Sequence, residues 1–308
     1  MKMIKRMALL TVIMTFLMTV TIFANQEATQ DALDTTKPLV ALGADLSAEQ
    51  KATVLNNMGI SESDLENYNV IYITNDMEHQ YLDNYMDASI IGTKSLSSVM
   101  VTPKEAGHGV LVETVNISYC TTGMYRNALL TAGVSDADIL VVGPTQISGT
   151  AALIGAVKGY ELLSGENISD ETLDTALNEM IATGEIAEAL NDADSEDVEA
   201  LIAFVKAKLA AGELNSEADI RSAISEGEDK FGVNLSDSEK NQIVDVMNKI
   251  DALGLDPNVL ITQAEDLYKQ FGADFLNHLD GKTIAKTGIV SFFSGIGNSI
   301  KNFFSGLF

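Results

Sequence analysis

Between Pro38 and about Leu163 the chain alternates short β-branched runs with helical stretches, and this alternation is the pattern of an α/β domain. The runs at Leu39 to Leu42, Val70 to Thr74, Ser98 to Thr102, Val110 to Ile117 and Ile139 to Val142 read as strands. Ser47 stands three residues before Gln50, a capping-box spacing, and Gly59 closes the stretch, so Ser47 to Met58 reads as a helix with both ends marked. Between the third and fourth strands, Pro103 to Gly109 carries glycines that supply the positive φ of a tight reversal. That spacing predicts a mixed sheet containing one hairpin.

From Gly165 onward strand patterns stop, and capped stretches with a 3.6-residue apolar period take their place. Val198, Leu201, Ile202, Val205 and Leu209 form one stripe; Ile243, Met247 and Ile250 form a second, behind the capping box that Ser236 and Glu239 bracket. Leu260, Leu267, Phe271 and Phe275 form a third, with Pro257 in a first-turn position. Such stripes bury against one another, so the fold class is an α+β or α/β N-terminal domain with a mixed sheet (38–163), an all-α helical subdomain (164–280) and a C-terminal amphipathic helix (281–308). Asn191 to Asp197 has the look of a calcium loop but lacks the glycine at position six and the glutamate at position twelve, so it reads as a solvated linker.

The two ends differ from the middle. Lys2, Lys5 and Arg6 precede the apolar run Met7 to Phe23, and Ile22 and Ala24 suit a signal-peptidase site, so residues 1–24 read as a secretory signal. The length of the run keeps an uncleaved anchor open as an alternative. Residues 25–37 have no apolar periodicity and read as a flexible leader. Residues 281–308 contain Lys282, Lys286 and Lys301 and no acidic residue, and the sequence Phe292-Phe293-Ser294-Gly295-Ile296 returns eleven residues later as Phe303-Phe304-Ser305-Gly306-Leu307. Projected at roughly 100° per residue, Ile289, Val290, Phe292, Phe293, Ile296, Ile300, Phe303, Phe304, Leu307 and Phe308 share an arc of about 160°. Only 14 residues separate Lys286 from Lys301, too few to span a bilayer, which takes about 20. The tail therefore reads as a helix lying in the membrane interface, where each buried Phe contributes on the order of 1.5–3 kcal/mol. Docking on the protein itself or on a partner, and a disordered tail, are the alternatives.

Charge narrows the partners. Residues 25–280 carry 13 basic and 44 acidic side chains, a sum of −31, against +3 for the tail. A field of that sign repels phosphate backbones and excludes general nucleic-acid binding. A single cysteine excludes an intrachain disulfide framework and a cysteine-based zinc site. No metal site and no cofactor is predicted. The positive tail on a negative body also favours folding back when no membrane is present.

The sequence offers two places for chemistry. Ile139 to Thr150 runs from a strand through a polar loop into an Ala/Gly-rich helix, so Thr145, Ser148, Gly149 and Thr150 are candidate ligand-binding residues at a helix N-terminus. The P-loop lysine, the dinucleotide fingerprint and the G-x-S-x-G elbow are all missing. The second is Cys120, just before the helix cap Thr121-Thr122, with His108 as the only histidine of that domain with a plausible route to it; a small core thiol is the plainer reading. His79 and His278 have no second ligand at metal spacing.

The order Val40-Ala41-Leu42-Gly43-Ala44-Asp45-Leu46-Ser47, Met124-Tyr125-Arg126-Asn127-Ala128-Leu129, Thr131-Ala132-Gly133, Ser148-Gly149-Thr150-Ala151-Ala152-Leu153 and Tyr160-Glu161 resembles the YpuA-like family of secreted bacterial proteins of unknown function. The resemblance covers about residues 38–279 and implies an exported, envelope-associated protein of Gram-positive type bacteria, with no catalytic residues to carry over. The expectation is a non-enzymatic binding or structural module, secreted or peripheral on the outer face of the cytoplasmic membrane. Its partners would be the membrane surface and a cell-wall polymer or envelope protein. An envelope enzyme using residues 143–150 or Cys120, and a membrane-active secreted protein, are the rival readings.

Overall fold

A computed structural model describes residues 37–105, 108–165, 167–190 and 195–254. The segments read as a signal (1–24) and, all but its end, as a leader (25–37), the head of the Asn191 loop, the third apolar stripe, His278 and the Phe-rich tail lie outside the described residues.

Five strands form one sheet in the order β2-β1-β3-β5-β4: β1 (Leu39–Gly43), β2 (Asn69–Ile73), β3 (Ser98–Pro103), β4 (Val110–Ile117) and β5 (Ala137–Ile147). β1 pairs with β2 and β4 with β5 in parallel, while β3 runs antiparallel to both β1 and β5. Four strands therefore point the same way, with β3 reversed between them.

The expected hairpin between β3 and β4 does not form, because β5 lies between them. Burial explains the order. Ala137, Ile139, Val141 and Val142 of β5 are sealed from water, which suits a central strand. Leu111 and Glu113 of β4 alternate outward, which suits an edge. The reversal at residues 103–109 is instead pinned to the start of β5: Lys104 N–H donates to the Asp136 carbonyl, Gly109 N–H to the Asp136 carboxylate, and Lys104 and His108 both reach Asp138. Gly109 takes φ 80°, as a reversal of this kind requires.

Helix α1 (Ala48–Asn57) carries the Ser47/Gln50 capping box and packs Val54 and Leu55 with Val40, Leu42 and Val142 on one face of the sheet. A short 3₁₀ turn (Glu62–Asn67) leads into β2, which is followed by α2 (Asn75–Leu82) and α3 (Ala88–Ile91). α4 (Thr122–Thr131) and α5 (Thr150–Ser164) bury the other face. The glycines of α5 bring that helix close to the strands: a Cβ on Gly155 would stand 2.9 Å from Ala41 Cβ, and one on Gly159 2.7 Å from Leu39 Cδ2.

Four more helices complete the described chain: α6 (Asp170–Ala189), α7 (Ser195–Ala210), α8 (Glu217–Phe231) and α9 (Asp237–Ala252). The stripes Val198, Leu201, Ile202, Val205, Leu209 and Ile243, Met247, Ile250 meet in one cluster. α6 begins beyond residue 164, yet its Leu173, Ala176, Leu177 and Met180 share a core with Ala128 and Leu129 of α4. The helical region thus continues the packing of the sheet domain through α6.

Candidate functional site

Because β1, β2, β4 and β5 are parallel, their carboxyl ends and the N-termini of α1, α2, α4 and α5 gather at one side of the sheet, where open α/β sheets leave a crevice. β5 carries the site residues there. The sequence suggests a strand ending at Val142 and a polar loop beyond it; in fact β5 runs on to Ile147. Pro144 is tolerated because β3 begins at Ser98, opposite Val142, so no ladder bond is lost on that side. On the other side residues 143–146 of β5 bulge opposite the single residue Asn116, which sits in the left-handed region at φ 59°, before pairing resumes at Ile117 and Ile147.

Ser148, Gly149 and Thr150 then line a cleft of roughly 200 Å³. Thr145 does not join them: it is exposed on β5, outside the cleft. Ile90, Ile91, Leu96 and Ile147 give the cleft an apolar side. Its remaining lining comes from Glu78 of α2 and from Lys94 and Ser97, which lead into β3.

Gly149 occupies the N-cap position of α5 at φ 100°, and having no side chain it cannot cap the helix itself. One residue from elsewhere accepts a first-turn amide, and a second holds a first-turn side chain. Ser97 Oγ accepts the Ala152 N–H at 3.0 Å, and Glu78 Oε1 accepts the Thr150 hydroxyl at 2.8 Å. A carboxyl therefore already stands where the sequence alone would put an anionic ligand. Glu78 is 2% exposed. Burial pushes its pKa above the ordinary value, against hydrogen bonds from Thr150 and Asn75.

Cys120 lies beneath this loop. It is buried, its N–H donates to the Ser148 carbonyl at 3.1 Å, and the neighbouring Tyr125 hydroxyl donates to the Gly149 carbonyl at 2.5 Å. Burial pushes the thiol up to about 12, so it stays protonated at neutral pH. His108 precedes β4 and Cys120 follows it, so about 25 Å of strand separates them. His79 is also engaged, with Nδ1 2.6 Å from Asp83 and Nε2 3.1 Å from the Gly92 carbonyl. Both partners are acceptors, and the Asp83 contact raises its pKa, which favours the imidazolium. No group of three or more His, Cys, Asp or Glu positioned for a metal occurs among the described residues.

A second polar assembly joins α4, α6 and α7. Lys206 Nζ donates to the Asn127 carbonyl at 2.9 Å and to Thr131 Oγ1 at 2.7 Å, and pairs with Glu179 at 2.7 Å. Thr131 donates to Glu179, Thr121 donates to Glu199, and Asn127 Nδ2 donates to the Glu199 carbonyl. Arg126 faces Glu199, and burial lowers its pKa. Sequence periodicity alone does not mark this assembly. Its trace is the adjacent pair Arg126-Asn127 inside an otherwise apolar helix, and Glu199 and Lys206 seven residues apart in the apolar repeat of α7.

Fold and cleft together define an α/β-sheet protein with a helical extension and a small polar pocket at the strand ends. The chain belongs to the family described as "Protein of unknown function (DUF1002)", whose model matches residues 42–267. It is 37% identical over 267 residues to "Uncharacterized protein YpuA" of Bacillus subtilis (strain 168), covering 86% of this chain and 89% of that one. No solved structure matches it.

Proposed function

We propose that the protein is an exported binding module of the cell envelope, non-enzymatic, and held on the outer face of the cytoplasmic membrane by residues 281–308, whose sequence has the pattern of an amphipathic helix. The observation that carries this reading is the reversal of charge between a body summing to −31 and a Phe-rich tail summing to +3. An anionic body is repelled by anionic lipid headgroups, while a cationic, aromatic helix is drawn to them, so the tail would attach and the body would face outward. The signal-like sequence of residues 1–24 supports export. No helix among the described residues is long and apolar enough to cross a membrane, so attachment would rest on the tail or on an uncleaved signal.

Binding is favoured over catalysis by the state of the candidate nucleophile. Cys120 is closed off and protonated, and Ser148 lies in a cleft whose nearby histidine, on the residue next to Glu78, already bonds Asp83 and Gly92. Flotation of the exported protein with vesicles containing anionic lipid, with and without residues 284–308, tests the attachment. The complete chain should rise with the vesicles and the truncated chain should stay at the bottom. If both stay at the bottom, the membrane assignment is wrong.

A further inference from the structure

Glu78 presents an unusual charge arrangement inside the cleft. Its carboxyl is 98% shielded from water, yet its hydrogen-bond donors are neutral, the Thr150 hydroxyl at 2.8 Å and the Asn75 amide at 3.4 Å. Among the described residues no direct salt bridge to its carboxylate forms; its neighbour His79 lends some opposite charge, but that ring is itself bonded to Asp83 and the Gly92 carbonyl. The buried carboxylate therefore has no direct ion-pair partner, and a cation entering from the cleft would supply one. Lys94 lines the same cleft but is exposed, and it has no ion pair or hydrogen bond among the described residues. The cleft thus offers one buried acid, one exposed base and an apolar side made by Ile90, Ile91, Leu96 and Ile147.

We infer that this cleft binds a small zwitterion of the aliphatic amino-acid type, its ammonium group on Glu78, its carboxylate toward Lys94 and its side chain on the isoleucine and leucine surface. Size agrees with this class: roughly 200 Å³ is below the span of about 300–1,000 Å³ that houses larger ligands such as nucleotides or drug-sized molecules. The polarity agrees as well. With Glu78 already at the first turn of α5, the helix N-terminus no longer favours a purely anionic ligand, whereas an ammonium group gains from the acid placed there. The inference rests on the binding reading of the cleft and goes beyond it in naming the ligand chemistry and Glu78 as its anchor.

Three matched probes separate the contributions: valine, isobutylamine, which lacks the carboxylate, and isovalerate, which lacks the amine. Each is titrated into the purified protein while the methyl resonances of Ile90, Ile91 and Ile147 are followed by NMR. Valine should bind best. Glu78→Gln should weaken valine and isobutylamine by at least about tenfold and leave isovalerate unchanged. Lys94→Ala, an exposed change that leaves the packing intact, should weaken valine and isovalerate and spare isobutylamine. If isovalerate binds as tightly as valine, or if Glu78→Gln leaves valine unaffected, the amino-acid assignment is overturned while the cleft remains a binding site. If none of the three probes moves the cleft methyls, both the assignment and the binding reading of the cleft fall.

Discussion

The Lys206 ammonium lies 2.7 Å from the Glu179 carboxylate between α7 and α6, with the lysine side chain 6% exposed and the glutamate fully buried. Such a pair owes little net stability to its own attraction, because desolvating two charges cancels most of it. Its importance is that neither member tolerates the loss of the other. Lys206→Met should cost about 3–5 kcal/mol, since it leaves Glu179 charged and buried beside Thr131. Lys206→Met combined with Glu179→Met should recover much of that loss. Urea unfolding of the two variants and the parent chain checks this. A single variant within about 1 kcal/mol of the parent would show that the pair is not confined as described.

The approach of α5 to the sheet gives a steric prediction. An alanine in place of Gly155 gains up to about 1 kcal/mol of helix propensity, but its Cβ would stand 2.9 Å from Ala41 Cβ and 3.0 Å from Val99 Cγ1. Ala41 Cβ is fixed to the β1 backbone and cannot rotate away. Overpacking of this kind costs about 1–3 kcal/mol, so Gly155→Ala should lower stability by about 1 kcal/mol net. Gly155→Val should be several times worse. Thermal unfolding of both variants measures the difference.

Local signals and non-local pairings were not equally legible. The five strands and the Ser47 and Ser236 capping boxes could be read directly, because alternation and cap spacing are encoded over a few residues. The position of β5 between β3 and β4 could not, since Pro103 to Gly109 reverses the chain without stating which strand fills the gap. The site divides in the same way. Ser148 to Thr150 stand out as a strand-to-helix junction. Glu78, 72 residues away, bonds Thr150 from a helix rich in polar residues, NDMEHQYL, where nothing in the sequence marks one acid as buried.

Cys120 tests whether the region beneath the cleft is closed. A buried thiol pushed up to about 12 supplies almost no thiolate at pH 8. Modification by an aromatic disulfide reagent should therefore be far slower in the folded protein than in urea, and should accelerate with urea in step with unfolding. Rapid stoichiometric labelling of the native protein would contradict the packing of Cys120 under Ser148 and Tyr125.

Glu78 makes stability depend on pH in a direction opposite to that of a salt-bridged acid. Its folded-state pKa lies above the ordinary glutamate value of 4.5, mainly because the site excludes water. The folded protein therefore holds this proton more tightly than the unfolded chain, and stability falls as pH rises from about 4.5 to the folded value. Asp138 behaves in the opposite way: Lys104 and His108 hold its pKa below the ordinary range despite partial burial, so its contribution is lost as pH falls. The two trends overlap in acid, and comparison with Glu78→Gln separates them. The glutamine keeps an acceptor for Thr150 and carries no charge, so it should match the parent near pH 4 and become the more stable protein toward neutrality. Urea midpoints measured for both proteins from pH 4 to 8 give the difference curve. A flat difference, or a parent that gains on the variant with rising pH, would mean that the carboxyl is ionised and satisfied within the protein's own cleft.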